Sequence, residues 1–328
     1  MKLIDPHQRK LSYLRISITD RCNLRCLYCQ PGNVAPKLHH DEILSYEELL
    51  RIIKIGVDLG IEKVRVTGGE PLVRKGVYGF LQKLVQFPGI RDVSLTTNGV
   101  LLKHHAKEIW DAGVRRINIS LDTLKPDRFK TITGFDAFQD VWDGIHAVAG
   151  LGFFPIKINT VAMRGVNDDE LVDIARLSLT LPFHFRFIEY MPIGSKVENQ
   201  TAGLLTPEIQ TRLIQAVGPL TPVQNGVMDG PARRFRVLGA IGEIGFISAM
   251  SHHFCNTCNR LRLTASGQLR SCLLSDRQDD IKTPLRNGAT DQAIADIFRE
   301  SVRHKALEHT LSSTSSSGVH TRMASIGG

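Results

Sequence analysis

The chain has 328 residues, a formal net charge of +8, and 42% hydrophobic and 23% charged residues. These proportions exclude a fully disordered or fibrous protein and leave room for about two ordinary domains, or one large α/β domain with an appendage. No stretch is long and apolar enough to span a bilayer, and the opening MKLIDPHQRK lacks the apolar core of a secretory signal, so a cytoplasmic address without membrane contact is expected. The positive charge calls for an anionic ligand, be it nucleic acid, nucleotide polyphosphate or acidic partner, without choosing among them.

Apolar alternation predicts strands at Tyr13–Thr19, Lys63–Thr67, Asp92–Thr97, Arg116–Leu121, Pro155–Ala162 and Phe183–Tyr190, with amphipathic runs between them at the spacing of βα units. One of these runs, Ser45–Leu59, opens with Ser45 and Glu48 spaced as a capping box. Six βα units in series imply an α/β fold, a parallel sheet that right-handed crossovers curve into a partial (βα)6 TIM-like barrel with helices outside. The strands carry one polar face each: Arg15, Ser17 and Thr19; Lys63, Arg65 and Thr67; Arg116, Asn118 and Ser120; Lys157 and Asn159; His184 and Arg186. If helices cover the apolar faces, the polar faces line the lumen. Unpaired cations buried there would each cost several kcal/mol, so a basic lumen implies a bound anion and water rather than a dry core.

After Tyr190 the pattern changes. Thr206–Val217 reads as a helix, and Arg234–Leu238 and Glu243–Ile247 read as short strands of a smaller α+β region. Thr310–Ser317 is Ser/Thr-rich and reads as a flexible tail that ends in Gly-Gly. The expected division is a barrel over 1–200, a C-terminal region over 201–309 and a tail over 310–328.

Six cysteines fall into two triplets, Cys22, Cys26, Cys29 and Cys255, Cys258, Cys272, which read as metal or redox sites rather than disulfides. The first triplet follows the first strand, in the loop where a βα barrel keeps its active site. Structural zinc wants four protein ligands, and no histidine lies near this triplet at ligand spacing. A [4Fe–4S] cube held by three thiolates keeps its fourth iron open to a non-protein ligand. The second triplet has His252 and His253 close by, so zinc stays open there.

Cys22-x3-Cys26-x2-Cys29, with Tyr28 before the last cysteine, resembles the signature of radical S-adenosylmethionine enzymes. Gly68-Gly69-Glu70-Pro71, ending the second strand, resembles their contact for the amino group of the cofactor. CNTCNRLRLTASGQLRSCLLS around the second triplet resembles the GTP 3′,8-cyclase family within that superfamily, and the likeness returns at Arg322, Met323 and the terminal Gly-Gly.

The resemblance implies two [4Fe–4S] clusters on the six cysteines and S-adenosylmethionine contacts at Tyr28, Gly69, Ser120 and Met191. It implies GTP contacts at Arg15, Arg65, Thr96, Lys157, Arg186, Arg260 and Arg262, and a catalytic tail at Gly327 and Gly328. The implied chemistry converts GTP to (8S)-3′,8-cyclo-7,8-dihydroguanosine 5′-triphosphate, the first step of molybdenum cofactor synthesis. A reduced electron donor, a homodimer and transfer of product to cyclic pyranopterin monophosphate synthase are implied as well. Alternatives are a radical enzyme acting on RNA or peptide, and a zinc-stabilised nucleic-acid-binding protein.

Overall fold

Parallel pairing of the predicted strands organises the molecule, a computed structural model in which residues 2–29, 37–194, 203–226, 228–309, 311 and 319–327 are described. The strands β1 (Tyr13–Ser17), β2 (Lys63–Thr67), β3 (Asp92–Thr97), β4 (Arg116–Ser120), β5 (Ile156–Ala162) and β6 (His184–Glu189) pair in sequence order, all parallel. Between them run α1 (Tyr46–Asp58), α2 (Val77–Val85), α3 (Leu102–Asp111), α4 (Pro126–Thr133), α5 (Phe138–Gly150) and α6 (Leu171–Arg176). Helix α7 (Thr206–Val217) follows β6 at the predicted position.

The entry to α1 shows how local sequence sets an element. The Ser45 hydroxyl accepts from the Glu48 amide at 3.1 Å, and the Glu48 carboxylate accepts from the Ser45 amide at 2.7 Å. This reciprocal cap satisfies two donors that a helix start leaves orphaned, and such a cap stabilises by about 1 kcal/mol. On the inner face of α1, Leu49, Ile52 and Ile53 are buried, as are Leu14, Ile16, Val64 and Val66 on the outer faces of β1 and β2. Each such side chain contributes roughly 1.5–3 kcal/mol of burial.

The C-terminal region does not stand apart from the barrel. Beyond β7 (Leu220–Val223) and β8 (Arg233–Val237), strand β9 (Glu243–Ile247) pairs parallel with β6, while β10 (Arg260–Leu263) pairs parallel with β1. The parallel run is therefore β10-β1-β2-β3-β4-β5-β6-β9. Antiparallel strands finish each end, β8 and β7 beyond β9, and β11 (Gln268–Arg270) and β12 (Asp279–Asp280) beyond β10. Helices α8 (Lys282–Arg286) and α9 (Asp291–Arg303) lie outside, with Asp291 paired to Arg51 of α1. Last comes the short helix α10 (Met323–Ile326).

Register puts like charges side by side. Arg262 of β10, Arg15 of β1 and Arg65 of β2 share one row, and Arg260, Tyr13 and Lys63 share the row below. Adjacent strands lie about 4.8 Å apart, so this is a crowded belt of cations on the inner face, an arrangement that costs stability unless an anion offsets it.

Candidate functional site

The loop after β1 is anchored by backbone before any thiol is considered. Gly69 N donates to Thr19 O at 2.7 Å and Glu70 N to Arg21 O at 2.8 Å. A Cβ on Gly69 would stand 2.4 Å from Arg21 O, so the glycine is required where two backbones touch. Gly68 and Gly69 also line the cavity described below. Gly69→Ala is expected to cost roughly 1–3 kcal/mol and to displace the cysteine loop, read out as lower iron content and a lower melting temperature.

Glu70, which is fully buried, binds the ends of β2 and β3 together. Its carboxylate accepts from Leu72 N at 3.1 Å, Thr97 Oγ1 at 2.8 Å and Asn98 N at 2.7 Å, while burial pushes its acid up to about 7. Asn98 in turn donates to Asn23 Oδ1 at 2.8 Å and to Cys22 Sγ at 3.6 Å. Tyr28 donates to Asp122 Oδ2 at 2.8 Å, and Asp122 Oδ1 accepts from Val161 N at 2.8 Å. A polar frame of Glu70, Asn98 and Asp122 thus sets the triplet loop. None of the three is singled out by sequence, though the GGEP run points at the first.

Burial pushes all three thiols of this triplet up: Cys22, Cys26 well above the ordinary range, and Cys29 to about 12 with Cys22 adding to it. Three mutually repelling sulfurs out of water match a ligand that brings positive charge with it, since a coordinating thiol is deprotonated by its metal. The donor set fits an iron–sulfur cube and, among the described residues, lacks the fourth protein ligand of structural zinc.

The second triplet sits between the sheet edge and the chain termini. Arg9 donates to Cys255 O at 2.7 Å, to Leu307 O at 2.8 Å and to Ala306 O at 2.7 Å, with its Nε on Asp5 at 2.5 Å. Burial raises Cys258, but Arg260 and Lys305 outweigh it and bring the thiol down to about 6. Lys305 itself donates to the carbonyls of Ser271 and Arg260.

Between the triplets lies a cavity of about 240 Å³ lined by Cys22, Cys26, Cys29, Tyr28, Gly69, Thr96, Ser120, Met191, Arg15, Arg65, Arg186, Arg260 and Arg262. A smaller one of about 60 Å³, lined by Cys255, Cys258 and Cys272, adjoins it. Met191, Ala249, Phe254, Arg260, Arg262 and Leu273 line both. Of the sequence candidates among the described residues, Lys157 lies below the cavity, toward Asp229 at 3.8 Å.

The lumen is electrostatically divided. Near the floor, Lys63 pairs with Asp92 at 2.8 Å, and Asp229 faces Arg234 at 2.6 Å and Arg116 at 3.7 Å. Higher up, Arg15, Arg65, Arg186, Arg260 and Arg262 have no acidic partner among the described residues. Arg15 Nε, Arg186 Nε and Nη2, Thr96 Oγ1 and Asn159 Oδ1 are buried without a hydrogen-bond partner. Burial, then Arg65, pulls Arg186 down to about 9; burial, then Arg260, pulls Arg262 to about 10. The orphaned guanidinium donors under this strain fit a multiply charged anion.

The tail enters the same space. Val319 bridges to Ile193, Val319 N donates to Pro192 O at 3.1 Å and Gly194 N to Val319 O at 2.8 Å. His320 and Thr321 are held by Asp276, and Arg270 donates to Thr321 at 3.0 Å. Met323 lines the cavity. Gly327 has φ +83°, and a Cβ there would lie 2.7 Å from Thr67 Oγ1 and 2.8 Å from Ser17 Cβ. Its carbonyl accepts from Arg262 at 2.9 Å. Gly328 and most of Thr310–Ser317 lie outside the described residues.

Comparison with known proteins follows the same lines. The model of the radical SAM superfamily matches residues 16–178, and that described as Molybdenum Cofactor Synthesis C matches 183–311. The chain is 49% identical over 308 residues to the GTP 3′,8-cyclase of Heliobacterium modesticaldum, covering 94% of each. It is 47% identical over 330 residues to that of Geobacter sulfurreducens, covering 100% of each. The crystal structure of Streptococcus suis SuiB bound to S-adenosylmethionine superposes with a TM-score of 0.59 at 15% identity, covering 88% of this chain and 69% of that one. That likeness is one of fold, the partial barrel.

Proposed function

Because the chain belongs to the GTP 3′,8-cyclase family of the radical S-adenosylmethionine superfamily, we propose that it cyclises GTP to the 3′,8-cyclo-7,8-dihydroguanosine triphosphate, opening molybdenum cofactor synthesis. The observation that carries this reading is the belt of arginines, without an acidic partner among the described residues, between two thiol triplets. Cys22, Cys26 and Cys29 would hold one cluster and Cys255, Cys258 and Cys272 the other. When bound, the first cluster and S-adenosylmethionine supply one-electron cleavage of the sulfonium and abstraction of a hydrogen atom from the ribose.

The chain's own residues bind and orient. Tyr28, Gly69, Ser120 and Met191 line the same cavity as the first triplet and are suited to the methionine and adenosine parts of the cofactor. Arg15, Arg65, Arg186, Arg260 and Arg262 point from four strands into one volume, where a triphosphate would satisfy the orphaned guanidinium donors; Thr96 offers its hydroxyl there. Pinning the nucleotide at phosphates and base fixes the ribose between the clusters, which converts a diffusive encounter into a positioned one. Met323 of α10 lines the cavity, and Gly327 permits an approach to Ser17 and Thr67 that a side chain would block.

Lys157 makes the binding pH-dependent. Burial, with Arg186, Arg116 and Arg65 nearby, pushes it down to about 6, against the pull of Asp229. The free protein therefore holds Lys157 mostly neutral at pH 7.5, and a polyphosphate raises its affinity for a proton. Binding takes up a proton, so GTP affinity falls as pH rises from about 6 toward the bound-state pKa. Calorimetry in two buffers of different ionisation enthalpy should report net uptake; none in the wild type would refute this.

Residues 1–200 are proposed as the barrel unit, 201–309 as the second-cluster and substrate unit, and 310–328 as the tail. No helix among the described residues is long and apolar enough to cross a membrane; a cytoplasmic homodimer, fed by a reduced donor and passing product to cyclic pyranopterin monophosphate synthase, completes the proposal. The deciding experiment is anaerobic incubation of reconstituted protein with GTP, S-adenosylmethionine and a strong reductant. Formation of 5′-deoxyadenosine with matched loss of GTP is expected; cofactor cleavage with GTP untouched would turn the assignment toward RNA or peptide.

A further inference from the structure

Behind the second triplet, the smaller cavity is lined by two histidines as well as the three cysteines, His253 and His309. They come from opposite sides of the triplet in sequence and meet with ring centroids 4.0 Å apart. His252, the neighbour in sequence, is exposed. One donor atom from each of His253, Cys255 and His309 lies within 4.8 Å of the other two.

The hydrogen bonds leave these rings in the state a metal needs. His309 Nε2 lies 2.9 Å from Ala249 O and His253 Nε2 lies 3.1 Å from Met250 O. A carbonyl only accepts, so each Nε2 carries the proton and each Nδ1 keeps a lone pair. His309 Nδ1 is buried and makes no well-aligned hydrogen bond among the described residues, although the Leu311 backbone lies against the ring. A ring tied through one N–H to a backbone carbonyl, with the other nitrogen bare, is the posture of a ligating imidazole.

We propose that His253, Cys255 and His309 form a site for a single divalent ion of the zinc class, which shares Cys255 with the second triplet and so competes with cluster assembly there. Bonds of about 2.0–2.3 Å to one tetrahedral ion bring neighbouring ligands within about 4 Å of each other, in keeping with this trio. A cube of four irons spreads its ligands more widely, and takes Cys258 and Cys272 rather than imidazoles. Two borderline nitrogens and one thiolate suit zinc or cobalt and leave a fourth position open. In a chain without the cluster the ion occupies the trio; in a loaded chain Cys255 is committed elsewhere. The mononuclear site stands apart from the cyclase assignment, while the competition rests on it.

The test uses the full-length chain carrying Cys22→Ala, Cys26→Ala and Cys29→Ala, freed of metal and titrated with Co2+ without oxygen. One equivalent should bind with tetrahedral ligand-field bands and a thiolate-to-cobalt charge-transfer band. His253→Ala and His309→Ala should each weaken binding at least ~10-fold, toward loss of one ligand, whereas Cys258→Ala and Cys272→Ala should not. Circular dichroism checks that each variant is folded, and His309→Gln repeats the test with a bulkier polar group should the alanine fail to fold. Dependence on Cys258 or Cys272, indifference to both histidines, or no cobalt bound would overturn the site. In a second arm, equimolar Zn2+ during iron and sulfide reconstitution should lower wild-type iron from about eight to about four per chain and spare His309→Ala. Equal loss in both proteins would overturn the competition; a cobalt site present in a chain that never takes up iron would instead count against the cyclase assignment.

Discussion

Cys26→Ala should leave reconstituted protein with about four irons per chain instead of about eight, and should abolish release of 5′-deoxyadenosine from S-adenosylmethionine. Burial, then the charges of Cys29, Asp122 and Cys22, push the Cys26 thiol well up. Turnover should fall more than about 1000-fold, or about 4 kcal/mol of barrier. The informative contrast is Cys272→Ala, which empties the other site. It should also lose about four irons, yet retain slow cleavage of S-adenosylmethionine without consumption of GTP. Iron analysis, visible absorption and chromatography of the adenosine product separate the two variants. Equal cofactor cleavage in Cys26→Ala and wild type would remove the first triplet from the chemistry.

Arg186→Met should bind GTP at least ~30-fold more weakly, since truncating one partner of a buried charge pair costs roughly 2–5 kcal/mol. At the same time it should melt higher in the absence of nucleotide. The guanidinium is buried, its Nε and Nη2 have no hydrogen-bond partner among the described residues, and it faces Arg65, with Asp229 and Tyr13 offsetting only part of the cost. Methionine fills similar space without a charge to desolvate, and replacing a poorly compensated buried ion by an apolar group stabilises by about 1–4 kcal/mol. In a chain of this size that is a rise of several degrees, on the order of 2–4 °C per kcal/mol. Scanning calorimetry with and without GTP should show the two curves crossing: the variant more stable empty, the wild type more stable loaded. A variant less stable than wild type in both states would mean that Arg186 serves the fold rather than the ligand.

Much of the frame is legible from the residues. Strands β2 and β3, helix α7 and strand β9 fall where alternation and helical period place them, because each has a local pattern that tertiary contacts reinforce. The polar inner faces were legible too: when helices intervene between strands, alternation has to mean a wet lumen. What pattern alone does not convey is pairing across long separations. RLRL at β10 and EIGFI at β9 are too short to announce that they border β1 and β6. The buried acids Glu70, Asp122 and Glu189 look like ordinary surface carboxylates in sequence. Glu189, for one, is raised by burial but brought below its usual range by Ser251 and by the amides of Thr206, Ser251 and Met250, from distant segments. His309 and Arg9 belong to the second-triplet neighbourhood for the same reason, proximity that only the folded chain creates.

The late arrival of β9 and β10 has a consequence for how the protein is made. Until residue 247 has left the ribosome, the six-stranded barrel exposes bare backbone along both β1 and β6, and β1 stays bare until residue 263 follows. Two unsatisfied edges on a slow-pairing parallel sheet invite association with other nascent chains. The C-terminal region is thus also what covers the edges of the first half, and a chain broken near its middle would be expected to clump rather than survive as a smaller enzyme.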